Sequence, residues 1–368
     1  VRFLLVLALL LPLSGQTLDR ALAEIDAGHY EPAIRMLREL AVKTPDDVAV
    51  HFNLALALGL AGQDEEAVVL YRKVLEMRPE LMEARMNLAQ LLVRDGHFAE
   101  APPLLEAVIE KRPADARAFA LLGRAWLGLR EWAKATAAYE KALELDPKDE
   151  PSALELAGVC EKTEHAARAI EIYGRFPESA AANERRGVLQ LKTGDAHGAI
   201  ESLERARAVG STPAVLYALA TAYLRDKQLD KATPLATALV QAEPRNVETR
   251  LFLGRLLRDQ RRYDEAARAF EQVVQLKPDL LEGWNELSGM LLLAKRWEDG
   301  LRALDRVRAL GGETPAYHYF RALMLDSLHQ NKMAVESYKK FLELAGGKFP
   351  EEEFKARHRI KALDRSAR

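Results

Sequence analysis

The sequence predicts an all-α chain, a right-handed α-solenoid of about ten helix-turn-helix repeats closed by a C-terminal helix. Three observations carry this. Pro45, Pro79, Pro113 and Pro147 stand 34 residues apart, and Pro244 and Pro278 keep the same interval. Between the prolines, apolar residues recur at helical spacing in two runs separated by a short polar turn. The composition, 49% hydrophobic with few aromatics and much alanine, leucine, glutamate and arginine, is that of long helical arrays.

The prolines punctuate because a proline inside a helix loses a backbone hydrogen bond and clashes with the preceding turn, so each marks a helix end. The unit Ala116–Asp149 shows the pattern most fully. Phe119, Leu122, Gly123 and Trp126 share one face of a first helix, and Ala135, Tyr139 and Ala142 share one face of a second. Gly123 and Ala135 allow close approach, and the aromatic rings fill the space around them. The arrangement returns in His51, Leu54, Ala55, Leu58, Ala67 and Tyr71, and again in Arg250, Leu253, Gly254, Leu257, Ala266 and Phe270. The turns Gly28-His29-Tyr30, Gly96-His97-Phe98, Arg130-Glu131-Trp132 and Arg261-Arg262-Tyr263 each precede a small residue by three positions.

On these residues the chain resembles the tetratricopeptide repeat family, whose Leu-Gly or Leu-Ala pair, second-helix alanine and aromatic, and closing proline are matched in register. The register starts at residues 14, 48, 82, 116, 150, 180, 213, 247, 281 and 315. It divides the chain into a leader (1–15), repeats one to four (16–149), two irregular repeats (150–212), repeats seven to ten (213–348) and a capping helix (349–368). The repeat from 150 is short, because Arg175-Phe176-Pro177 ends its second helix early. Gly312 and Gly346 replace the closing proline in the last two repeats and predict glycine-capped helix ends.

The leader reads as an export signal. Val1-Arg2 is followed by an apolar run, Phe3–Leu13, broken only by Pro12, then by the small residues Ser14 and Gly15. This run is shorter than the roughly 20 apolar residues a membrane span needs. It predicts a bacterial periplasmic or secreted chain starting at Gln16; a misassigned start would instead make the chain cytoplasmic. Gln16 stands where a lipidated cysteine would be required.

The resemblance implies a protein-interaction scaffold whose concave surface is lined by first helices. In the first repeats the stripe offset from the packing face holds Leu18, Leu22, Ile25, Phe52, Leu56, Leu60, Met86 and Val93. Read as exposed, it is a site for an apolar partner segment; neighbouring helices or N-terminal residues are the alternative cover. Further along stand Arg94, Arg117 and Arg124, then Arg225, Arg255 and Arg258, a set that suits acidic segments. Acidic residues share their stripe. A chaperone-tail clamp is not supported: Asn53 and Asn87 fit the family's asparagine position, but Leu18 and Leu22 stand where the clamp begins.

A net charge of −2, from 53 basic and 55 acidic residues, gives no field to collect nucleic acid. The eight histidines are scattered, Cys160 falls at a core position, and no phosphate loop or nucleophile elbow occurs. No cofactor, metal or catalytic residue is therefore expected, and the repeats leave no length for a catalytic domain. An accessory or embedded module of a glycan-processing or transferase system is the second reading. The repeat pattern itself is testable: Tyr139→Ala should cost about 3–5 kcal/mol at one junction. Circular dichroism should show the other repeats still helical under native conditions.

Overall fold

The computed structural model describes residues 15–366, and every regular element among them is helical. The leader expected over residues 1–15 therefore lies, but for Gly15, outside the described residues. The chain forms two units, one ending at Phe176 and one beginning at Pro177. In the first, α1 (Gly15–Asp26) and α2 (Tyr30–Lys43) are followed by α3 (Val48–Ala61) and α4 (Asp64–Met77), then by α5 (Met82–Arg94) and α6 (Ala101–Lys111). The pairs α7 (Ala116–Gly128) with α8 (Trp132–Leu145) and α9 (Glu150–Lys162) with α10 (Ala166–Gly174) complete it.

The second unit contains α11 (Ala180–Thr193), α12 (Ala196–Val209), α13 (Pro213–Arg225), α14 (Leu229–Ala242), α15 (Val247–Asp259) and α16 (Tyr263–Leu276). It continues with α17 (Leu281–Leu293), α18 (Trp297–Ala309), α19 (Pro315–Ser327), α20 (Asn331–Ala345) and α21 (Pro350–Ser366). Within each unit every helix packs on the next in sequence order, which is the α-solenoid plan. The helix expected to be cut short is α10, nine residues long.

Most first helices start at side-chain caps, α5 and α17 after Leu81 and Leu280 being exceptions. Asp47 Oδ1 accepts from the backbone N–H of Ala49 (2.9 Å) and Val50 (3.2 Å), and Asp115, Ser179, Thr212, Asn246 and Thr314 serve equivalent helices. A second device recurs six residues after a proline, whose carbonyl has left the preceding helix and needs a donor. Arg85 donates to Pro79 O (2.8 Å), Asn183 to Pro177 O (2.7 Å) and Trp284 to Pro278 O (2.9 Å). His51 Nε2 stands 2.7 Å from Pro45 O and serves the same carbonyl in its N–H tautomer. Four unlike side chains thus satisfy one backbone acceptor.

The contact between first and second helix is tightest where the sequence puts glycine. A Cβ on Gly123 would stand 2.7 Å from the Tyr139 ring, and one on Gly254 would stand 2.6 Å from Phe270. Both rings are fully buried. Cys160 is buried too, and burial pushes its thiol above the ordinary range, as suits an inert core residue. Gly346 ends α20 in the left-handed region as predicted, but α18 differs: Gly311 takes the positive φ, while Gly312 packs against Leu281 and Val307. The terminal helix α21 seats Ala356 and Leu363 against the α20 core. Arg359 fastens it by donating twice to Asp326 of α19 (2.6 and 2.8 Å).

The turn inside each repeat needs one left-handed residue. Gly28, Gly62, Gly96 and Gly194 supply it freely, whereas Arg130, Glu164, Lys227, Arg261, Lys295 and His329 adopt it with φ of 57 to 62°. A side chain costs about 1 kcal/mol there. Lys295→Gly should therefore raise stability by up to about 1 kcal/mol, and Gly62→Ala should lower it by a similar amount. Urea unfolding followed by circular dichroism measures both.

Candidate functional site

The first-helix face is built by one register. At two junctions the residue six places into a repeat meets the second-helix tyrosine of the repeat before it. Asn87 Nδ2 donates to Tyr71 Oη (3.0 Å), and Tyr139 Oη donates to Glu155. Burial, reinforced by the Glu155 charge, pushes the Tyr139 phenol far above its usual range, so it remains a donor. Arg124 closes this group by donating to both Glu155 oxygens (2.9 and 3.1 Å). Between α16 and α17 the residue at this place is Phe270, which has no hydroxyl. There Glu286 accepts from Arg258 (3.0 and 3.2 Å) and Arg255 (3.2 Å) instead.

A cavity of about 570 Å³ lies beside Glu286 on the first-helix face of α15, α17 and α19. Leu281, Gly289, Leu293 and Phe320 make its apolar lining, and Arg258 and Glu286 form a charged edge. Leu293 is 48% exposed, a large apolar side chain left open to solvent at the cavity. On neighbouring first helices of the same unit, Tyr217 is 49% exposed and rests on Phe252 with ring centroids 5.2 Å apart. The second unit therefore offers an open apolar and aromatic surface whose charges are already paired.

The apolar residues singled out in the first unit are not open. Leu18, Phe52, Leu56 and Met86 are buried and Leu22 is half-buried. This corrects the expectation of an exposed apolar stripe. A first helix is flanked by the first helices of adjacent repeats as well as by second helices, so a stripe offset from the main packing face is still covered.

The arginines are not a free carboxylate receptor either. Arg94 is held by Asp64 and the Gly59 carbonyl, Arg117 by Gln90 (2.7 Å), and Arg124 by Glu155. Arg225 is held by the Leu191 carbonyl, Arg255 by Glu282 and Glu286, and Arg258 by Glu286 and Asp259. All but Asp259 of these partners lie between 27 and 35 residues away, in the next or the preceding repeat. Reading along one helix could not reveal them. Leu293, Phe320 and Tyr217 were missed although each occupies a register position that faces away from its own second helix. Comparing the same place across repeats would have found them.

Sequence models of the tetratricopeptide repeat match residues 18–81, 86–150 and 217–280, and a second such model matches 257–324. The chain belongs to the tetratricopeptide repeat family. No curated protein matches it. Among solved structures it is similar to MamA (41-end) from Desulfovibrio magneticus RS-1, at 29% identity over 44% of this chain and 90% of that one, with a TM-score of 0.43. A MamA RS-1 ArsTM double mutant gives the same figures. The structure of Naa15/Naa10 bound to HypK-THB matches 93% of this chain and 65% of that one, at 14% identity and a TM-score of 0.41. Tetratricopeptide arrays are scaffolds for protein–protein interaction and are generally not catalytic, so a tetratricopeptide chain has protein partners. Among the described residues no helix is long and apolar enough to cross a membrane.

The wall helix α19 also carries His318, whose Nε2 is buried with no partner among the described residues. Burial pushes its imidazole below the ordinary value of 6.5; Glu313 opposes this, while Lys340, Arg321 and Arg308 add to it. The folded chain thus holds His318 neutral where the unfolded chain takes up a proton. Its contribution is complete above pH 6.5 and is lost as pH falls from there to the depressed folded value. His318→Phe should flatten the stability profile below pH 6.5, measured by urea unfolding.

Proposed function

We propose that this chain is a non-catalytic scaffold of the bacterial periplasm or cell envelope that captures an apolar segment of a protein partner on the first-helix face of its second unit. The observation that carries this reading is the cavity between α15 and α19, open at Leu293 and floored by Phe320 and Leu281. Its volume accommodates one or two large side chains, and such pockets anchor most of the energy of a peptide contact. Arg258 and Glu286 neutralise each other across 3.0 Å, so the edge orients a peptide by hydrogen bonding more than by net charge. The apolar run Phe3–Leu13 supports placement in the envelope, since it has the layout of an export signal.

The test uses the full chain as bait for a displayed peptide library, followed by calorimetric titration of the selected peptides. Leu293→Asp should weaken the best peptide at least about tenfold, roughly 1.4 kcal/mol. Leu344→Asp, an exposed apolar residue near the end of α20, should leave it unchanged. Equal affinity for the Leu293→Asp and unaltered chains would remove the cavity as the binding site.

A further inference from the structure

A crevice of about 370 Å³ opens among α16, α17 and α18 of the second unit. Leu287, Leu291 and Ala303 form its apolar floor, and the half-buried ring of Trp284 is one wall. Three arginines and two carboxylates line it. Both carboxylates are occupied: Arg296 lies 3.2 Å from Glu271 and 2.7 Å from Asp299, and Arg302 also donates to Asp299. Arg306 is the surplus charge. It is exposed, has no carboxylate partner among the described residues, and lies over the Trp284 ring, 5.7 Å from its centroid.

The equivalent crevice of the first unit shows why Arg306 is free. There Arg175 holds the place of Arg306, and Ala153 the place of Trp284. Ala153 offers no side-chain donor, so the closing-proline carbonyl of Pro147 takes its hydrogen bond from Arg175 (3.4 Å). Around α17 the Trp284 indole serves Pro278 O instead (2.9 Å), and the arginine is released. The charge balance is reversed as well. Glu140, Glu144 and Glu171 outnumber Arg168 and Arg175 in the first-unit crevice, whereas Arg302 stands where Glu171 does.

We propose that the α16–α18 crevice receives an acidic segment of a protein partner, with an Asp or Glu carboxylate on Arg306 and a neighbouring apolar side chain on the floor. A guanidinium lying over an aromatic face keeps its N–H edge for a two-pronged bond to carboxylate. The indole beneath is itself held by Pro278 O, so the receptor is formed before the ligand arrives. A single exposed ion pair is weak, so the floor supplies burial and Arg306 supplies selection. This site does not rest on the cavity beside Glu286, and its test leaves Leu293 untouched.

The experiment labels the full chain with nitrogen-15 tryptophan and follows the Trp284 indole signal, picked out of four by its loss in Trp284→Phe. The probes are acetyl-Leu-Glu-Leu-amide and acetyl-Leu-Gln-Leu-amide. The glutamate peptide should shift the signal saturably and bind at least about tenfold tighter than the glutamine peptide. Arg306→Gln should abolish that preference with unchanged circular dichroism, since the side chain is exposed and unpaired. Arg308→Gln, whose arginine is paired with Glu313 on the same helix end, should keep it. No shift with the glutamate peptide, equal affinity for the two peptides, or a preference that survives Arg306→Gln overturns the proposal. Inorganic phosphate is the third probe: affinity equal to that of the glutamate peptide would mark a general anion site and overturn it too, whereas weaker binding supports it.

Discussion

Everything in this chain depends on one constraint: a helical hairpin of this composition has more apolar surface than its own two helices can hide. Tyr139 and Phe270 fill the space opened by Gly123 and Gly254, but the flank of each hairpin still needs the next hairpin to cover it. Stability is therefore held in nearest-neighbour contacts, and sequence order becomes spatial order within each unit. The backbone devices serve that stacking. Side-chain caps start most first helices, left-handed residues turn the hairpins, and a donor six residues past the proline ties one repeat to the next.

The same constraint decides where a binding surface can exist. A first helix lies against flanking first helices as well as second helices, so little of it is free. In the first unit even the residues offset from the packing face are covered, and α3 has no open side. In the second unit Glu286 stands where Glu155 stands in the first, but faces Phe270, which has no hydroxyl to offer. The carboxylate accepts from Arg255 and Arg258, and the apolar surface between α15 and α19 is open beside it.

Charge follows a related logic. The arginines of the first-helix face stand opposite carboxylates, amides or carbonyls mostly of an adjacent repeat, so the face carries many charges and little net field. Exposed pairs of this kind add little stability. Their effect is to leave apolar shape, and not charge, as the feature by which a partner can be told apart.

The sequence by itself determined the helical hairpins, their register, the glycine and aromatic contacts and the short helix α10, because each of these is set by residues within one repeat length. Proline spacing, small residues and apolar periodicity are local signals with local causes. Which positions stay open was decided only by the tertiary structure. Phe52 and Leu56 carry the same apolar signal as Leu293 and Phe320, yet the first pair is buried and Leu293 is half exposed. The six arginines likewise look free along their own helices and are held mainly by groups a repeat away. Burial and pairing are properties of what lies opposite, and the partner across a solenoid junction is distant in sequence even when the repeat that contains it is not.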